Sequence, residues 1–225
     1  MKVWLFDIDG TLIASGGAGQ AATFAAIGEA FGVDVTPGGI GFAGRTDRAI
    51  AADVFRVHQI PNDEANWRRF REIYLGQLQR HLLQRPGQVL AGVDDVLAKL
   101  RARHDVHLGL LTGNIQAGAE AKLRHYRLWD HFAFGGFGDD HESRDDVAAQ
   151  AVSEAVRYLR CELRPEDVYI IGDTVHDIRC ARAVGARAIA VATGGTSADE
   201  LACAKPDALL QDLNPSELLA KLLAE

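Results

Sequence analysis

The strongest constraint on the fold is a set of short segments that are apolar at consecutive positions. Val3-Trp4-Leu5-Phe6 is the first, and it stops abruptly at Asp7-Ile8-Asp9-Gly10-Thr11. Side chains of a strand alternate between two faces, so a strand can be apolar throughout only when both faces are covered, as in the middle of a parallel sheet. Similar runs follow at 106–111, 168–171 and 188–191, with a weaker one at 208–210 and a short candidate at 132–134. Between them the apolar period becomes helical: Val93, Val96, Leu97 and Leu100 mark 93–103, and Ala148, Val152, Ala155, Val156 and Leu159 share one face of 147–159. Residues 177–184 and 216–223 read as helices too, the latter opened by Asn214-Pro215. Strands alternating with helices beyond position 90 predict an α/β fold built on a doubly wound, Rossmann-like parallel sheet.

Residues 16–85 break that alternation. Phe24, Ile27 and Phe31 mark a first helix, Ile50, Val54 and Val57 a second, and Trp67, Phe70, Tyr74, Leu78 and Leu82 a third, with no strand between them. Ser15-Gly16-Gly17-Ala18-Gly19 at the entry and Arg85-Pro86-Gly87 at the exit read as hinges. The expected organisation is a core of 1–15 and 86–225, interrupted by an inserted α-helical domain over 16–85.

With 48 % hydrophobic and 24 % charged residues in 225, the chain has ample material for a core and is no disordered protein. A net charge of −7 argues against binding nucleic acid or anionic membranes, both of which select basic surfaces. Cys161, Cys180 and Cys203 are odd in number and widely spaced, which supports neither a disulfide framework nor a cysteine zinc site. No apolar run approaches the ~20 residues of a membrane span, and Asp7 and Asp9 cut the N-terminal run short of a signal-peptide core. The expectation is a soluble cytoplasmic protein.

Chemistry is suggested where the apolar runs end, because ligands of open α/β sheets bind beyond the carboxyl ends of the strands. Asp7 and Asp9 stand two apart on an extended backbone and point the same way. Two such carboxylates can share one reacting centre, one as nucleophile and the other as acid or base, although an isolated Asp-x-Asp is equally an ordinary polar loop. Thr112-Gly113-Asn114 offers a hydroxyl and backbone N–H groups at a helix start, an anion site or simply the N-cap of a helix running through Tyr126. Asp173 and Asp177, four apart at a strand-to-helix turn, suit a divalent metal, one directly and one through water; Asp177 alone would read as a first-turn acid. His176 between them reads as a bystander beside hard oxygen ligands. Arg144 could neutralise a phosphate, although by itself it is a surface arginine in the charged loop 139–146.

Together and in this order, the four features resemble the haloacid dehalogenase superfamily of phosphohydrolases, over essentially the whole chain. Gly44-Arg45-Thr46-Asp47, Phe137-Gly138-Asp139-Asp140 and Gly172-Asp173-Thr174 make the phosphoglycolate-phosphatase-like group the nearest resemblance. The family usually carries a lysine at the third motif. No lysine lies between Lys122 and Lys205, so Arg144 stands in that place.

The resemblance implies a Mg²⁺-dependent phosphoric monoester hydrolase acting on a small phosphorylated metabolite, as a monomer or homodimer. Asp7 would attack phosphorus and form an aspartyl-phosphate. Asp9 would enter protonated, serve the leaving group as acid and then act as base for water. Thr112, with the N–H groups of Gly113 and Asn114, would hold phosphoryl oxygens. Mg²⁺ would be held by the Asp7 carboxylate, the Asp9 backbone carbonyl, Asp173 and Asp177. The inserted helices would form a mobile cap, with Arg45 or Thr46 meeting the rest of the substrate; the ordinary reading of Thr46 is an N-cap and of Arg45 a solvated side chain. Charge counting requires the metal independently: four carboxylates and a phosphate dianion sum to about −6, which Mg²⁺, Arg144 and a proton on Asp9 reduce to about −2. The presence of Asp9 separates the chain from dehalogenases and phosphonatases of similar fold, and no lysine between Lys2 and Lys99 provides a Schiff base. A sugar-phosphate mutase and a non-catalytic phosphate-binding regulatory protein stand as alternatives.

Overall fold

A computed structural model describes residues 1–34 and 40–224. Its strands are β1 (Lys2–Phe6), β2 (Ile13–Ala14), β3 (Gln88–Val89), β4 (Val106–Leu111), β5 (Phe134–Gly136), β6 (Val168–Gly172), β7 (Arg187–Val191) and β8 (Ala208–Leu210). Six of them form one sheet in the order β5-β4-β1-β6-β7-β8, parallel at every pairing. The helices are α1 (Ala18–Phe31), α2 (Asp47–Val57), α3 (Glu64–Gln84), α4 (Val93–Arg101), α5 (Gln116–His125), α6 (Arg144–Leu159), α7 (Val175–Ala183), α8 (Ala198–Cys203) and α9 (Glu217–Ala224).

The apolar β1 run is explained by two separate cores. Trp4 and Phe6 face a cluster with Val96 and Leu100 of α4, Leu123 of α5 and Leu219 of α9. Val3 and Leu5 face the opposite cluster, with Val147 and Ala151 of α6, Ile178 of α7 and Leu201 of α8. The chain is therefore an α/β protein with helices on both sides of a doubly wound parallel sheet.

Helices α1 to α3 build a third cluster, joined by Ile115 at the start of α5. Trp67, Phe70 and Tyr74 stack along α3 at centroid spacings of 5.6 Å, and Ile27, Val54 and Phe55 pack on them. The α3 stripe from Trp67 to Leu82 is buried as its spacing predicts. The other two stripes shift: α1 buries Ala18, Ala22 and Ala26 while Phe24 and Phe31 are only half-buried, and Val57, at the frayed end of α2, is exposed. The expected insertion, 16–85, contains 35–39, which lie outside the described residues.

Three elements depart from the sequence reading. The short strand expected at 132–134 lies at Phe134–Gly136, because Trp129–His131 first makes a turn of 3₁₀ helix. The antiparallel pair β2–β3, with Ile13 opposite Val89, joins the chain on either side of 16–85; two residues per strand are too few to display a period. Helix α8 is signalled by a Ser197/Glu200 capping box that an apolar-period reading passes over.

Strand order decides where chemistry can occur. β1 lies between β4 and β6, and Phe6 is level with both Leu110 and Ile171. The chain winds outward from β1 in opposite directions, so the carboxyl ends of β4, β1 and β6 flank the crevice where the topology switches. Thr112, Asp7 and Asp173, each the next residue after its strand, therefore meet.

Candidate active site

A cavity of about 530 Å³ opens at this switch point, lined on the core side by Asp7, Asp9, Thr112, Asn114, Arg144 and Asp173 and on the helical side by residues such as Phe42, Arg45, Ile50 and Tyr74. Its floor is acidic. One carboxylate oxygen each from Asp7, Asp173 and Asp177 lies within 4.8 Å of the others, and all three residues are buried. Gly10 makes the turn behind Asp7 with φ +86°, and any Cβ there would stand 2.5 Å from Asp173 Oδ2. Thr11 Oγ1 donates to Asp173 Oδ1 at 3.2 Å.

Arg144 belongs to this floor. The alternative of a surface arginine in a solvated loop does not hold: Ser143 caps α6 at Asp145 N, the helix starts three residues earlier than its apolar period, and Arg144 turns inward, 7 % exposed. Its Nη2 lies 2.9 Å from Asp7 Oδ1 and 2.6 Å from Asp177 Oδ1. Asp177 is bound at its other oxygen too, since Oδ2 accepts from Thr174 N at 3.0 Å and Thr174 Oγ1 at 2.6 Å. Asp177 is thus both the first-turn capping acid of α7 and a member of the cluster.

Asp9 points away from the cluster. Its Oδ2 accepts from Lys122 Nζ at 2.5 Å and Asn114 Nδ2 at 2.9 Å, and its Oδ1 from Ser15 Oγ at 3.2 Å. Asn114 Nδ2 reaches Thr112 Oγ1 at 2.8 Å, and Asn114 N donates to the same oxygen at 3.3 Å. Sequence reasoning missed Lys122. The signal was present: on α5 it shares the inward face of Gly118, Ala119 and Leu123, where a charged residue needs a reason.

The electrostatics correct one expectation. Crowding was to keep a proton on Asp9. Burial does push its pKa up, but the charge of Lys122 and the hydrogen bonds from Lys122, Asn114 and Ser15 outweigh it, so the carboxyl lies below its ordinary range. The crowding falls on the other acids. Burial pushes Asp7 up to about 6, opposed by Arg144 and reinforced by Asp177. Burial and the charges of Asp7 and Asp177 push Asp173 up to about 8.

These shifts carry a prediction. A divalent ion binds ionised carboxylates, so below about pH 8 it must displace the Asp173 proton, and below about 6 the Asp7 proton as well. In the metal-free fold these raised carboxyls add stability at low pH that is lost as pH rises through their folded values. The rise in thermal midpoint caused by millimolar Mg²⁺ is therefore expected to grow between about pH 6 and pH 8. Calorimetry in matched chelated and Mg²⁺-loaded buffers measures it, and a pH-independent increment would contradict the assignment.

The helical side sits on the core through the loop before α2. Asp47 N donates to Gly113 O at 2.7 Å, and a Cβ on Gly113 would come within 2.0 Å of Arg45 O. Helix α5 has no cap of its own; Asp47 Oδ2 accepts from Ile115 N at 2.8 Å and Asp139 Oδ2 from Gln116 N at 2.6 Å. Arg71 of α3 lies 3.6 Å from Asp139. Arg45 lines the cavity, with its guanidinium 2.8 Å from Asp53. Thr46 is buried and spends its hydroxyl as the α2 N-cap and on Glu142 O. His176 is exposed. Among the described residues, no helix is long and apolar enough to cross a membrane.

A phosphoglycolate phosphatase of Synechococcus elongatus is 35 % identical over 132 residues, 59 % of this chain and 58 % of that protein. A second, of Chromobacterium violaceum, is 29 % identical over 158 residues, 64 % of this chain and 66 % of that one. The matches thus span about three-fifths to two-thirds of these relatives. Among solved structures, CbbY of Rhodobacter sphaeroides in complex with xylulose-1,5-bisphosphate superposes with a TM-score of 0.77 at 19 % identity, over 99 % of both chains. A haloacid dehalogenase-like family hydrolase of Streptococcus pneumoniae gives 0.71 at 21 % identity, over 100 % of this chain and 97 % of that one. These likenesses carry the fold. Residues 4–191 match the haloacid dehalogenase-like hydrolases as a family, which takes in Asp7, Asp9, Thr112, Arg144, Asp173 and Asp177. The chain belongs to the haloacid dehalogenase-like hydrolase family.

Proposed function

We propose that the protein is a phosphatase that hydrolyses a small phosphomonoester through an aspartyl-phosphate on Asp7. The observation that carries this reading is that Asp7 and Asp9 line one cavity while different cations hold them, Arg144 on Asp7 and Lys122 on Asp9. Two carboxylates in such different surroundings can take different roles. The names of the Synechococcus and Chromobacterium relatives agree with the reaction class, and 2-phosphoglycolate is the first substrate to try.

In the first half-reaction a carboxylate oxygen of Asp7 bonds to phosphorus, the phosphorus–ester oxygen bond breaks, and the leaving oxygen takes a proton from Asp9. Asp9 is ionised in the free protein; a phosphate arriving beside it adds negative charge and favours its protonated form. In the second half-reaction Asp9 takes a proton from water, the water oxygen bonds to phosphorus, and the bond to Asp7 breaks to release phosphate. Thr112 and the backbone of Gly113 and Asn114 orient the phosphoryl oxygens, while Arg144 steadies Asp7. The helices of 16–85 act as the cap over the core of 1–15 and 86–225, with Arg45 facing the leaving group.

The three clustered carboxylates fit a divalent ion, being hard oxygen donors, and burial together with the charge of neighbouring acids raises the pKa of Asp7 and of Asp173. Asp7 and Asp173, with the Asp9 carbonyl, would hold Mg²⁺ directly. Asp177, with both oxygens engaged, supports it from outside. The ion, when bound, would offset the charge of the acids and of the phosphate.

The reading is tested by screening a few dozen phosphorylated metabolites with Mg²⁺, using Asp7→Asn as the blank. Release of phosphate by the unsubstituted protein alone supports it. Tight phosphate-ester binding without turnover would favour the binding-protein alternative.

A further inference from the structure

Lys122 is a cation to which the steps outlined above assign no role of its own. It is 3 % exposed, and its Nζ is shared between Asp9 Oδ2 at 2.5 Å and Asn114 Oδ1 at 2.6 Å. Burying an ammonium group costs stability unless it is paired, and a paired one is often no more stable than an apolar residue of similar volume. Stability alone therefore gives little reason for a lysine here.

The geometry of Asp9 offers another reason. Oδ2 receives two donors, Lys122 and Asn114, that are themselves hydrogen-bonded to each other, so that oxygen is fixed. Among the described residues, Oδ1 receives only the longer 3.2 Å bond from Ser15. We infer that Lys122 is a positioning residue for the acid–base carboxylate: by fixing Oδ2 it presents Oδ1 to the leaving oxygen of the substrate. This rests on the reading of Asp9 as the acid–base group.

A second contact ties the same lysine to the cap. Gly19, in the first turn of α1, lies so close that a Cβ there would stand 3.1 Å from Nζ and 3.5 Å from Cε. Lys122 is thus held between Asp9 and α1, and the bare backbone of Gly19 leaves the room its ammonium group occupies. The position can be disturbed from either side, by removing the charge or by crowding it.

The test compares kcat/KM, which reports the first phosphoryl transfer, on two esters. The leaving group of 4-nitrophenyl phosphate departs with little need of a proton; that of glycerol 2-phosphate, an alkoxide, needs one. Lys122→Met is expected to lower kcat/KM about 100-fold on glycerol 2-phosphate, the scale of a misplaced catalytic group, and less than about 10-fold on 4-nitrophenyl phosphate. Gly19→Ala keeps the charge and replaces glycine by a stronger helix former, so the fold is not weakened. It is expected to show the same selectivity with a loss of a few fold.

Equal losses on both esters would overturn the inference in favour of a merely structural lysine. A loss much larger on 2-phosphoglycolate than on glycerol 2-phosphate would overturn it by placing Lys122 on a charged leaving group. If the unsubstituted protein turned over none of these esters, the phosphatase reading would fall, and this inference with it.

Discussion

Asp7→Asn is expected to lower phosphatase turnover by at least about 10⁴-fold, the scale seen when a nucleophile is removed from a catalytic set. The amide is nearly isosteric and neutral, and it cannot form the acyl-phosphate. The fold should not suffer. Asp7 is buried with its pKa pushed up to about 6, so the metal-free protein holds a poorly solvated acid beside Asp173. Removing its charge relieves that repulsion, and Arg144 retains Asp177 as a partner at 2.6 Å. The thermal midpoint of metal-free Asp7→Asn is expected to equal or exceed that of the unsubstituted protein. Activity and melting measured on one preparation distinguish lost chemistry from lost structure, and near-normal turnover would remove Asp7 as the nucleophile.

Removal of divalent ions is expected to abolish turnover, and added Mg²⁺ to restore it. Asp7 and Asp173, which line the cavity, and the buried Asp177 bring one carboxylate oxygen each within 4.8 Å of one another, with the guanidinium of Arg144 against them. A phosphate dianion entering there meets a net negative field that low-dielectric surroundings strengthen. Lys122 adds a positive charge that the sequence-level count lacked, but it is paired with Asp9 rather than with the clustered acids. Phosphate release is measured after exhaustive chelation and again with Mg²⁺ returned; full activity in chelator would sink the metal assignment.

The residues at strand ends were legible because topology acts on them directly. Asp7, Thr112 and Asp173 each follow an apolar run, and a parallel sheet with β1 between β4 and β6 must bring the ends of those runs together. Arg144 was legible only through its order among the motifs. Its loop is charged throughout, and nothing local distinguishes an arginine turned inward at the start of α6 from one turned outward. Lys122 was not found because the lysine sought at the third motif was looked for beyond it, between Lys122 and Lys205. Its partner Asp9 lies 113 positions away, and such a pairing leaves no local period. The ionised state of Asp9 was misjudged for the same reason. For the free protein, a count of acids without Lys122 puts the raised pKa on Asp9, whereas it falls on Asp7 and Asp173. The cap stripes misread Phe24, Phe31 and Val57 because period alone does not say which of several apolar residues faces the neighbouring helix.

The central claim, that phosphorus passes through Asp7, is tested most directly by trapping the enzyme during turnover. Protein mixed with 2-phosphoglycolate, or with the best ester from the screen, is acid-quenched, reduced with borohydride and digested. Reduction converts an aspartyl-phosphate to homoserine. The account predicts homoserine at position 7, and none when substrate is omitted or in Asp7→Asn. Turnover without it, or reduction at another carboxylate, would contradict the account.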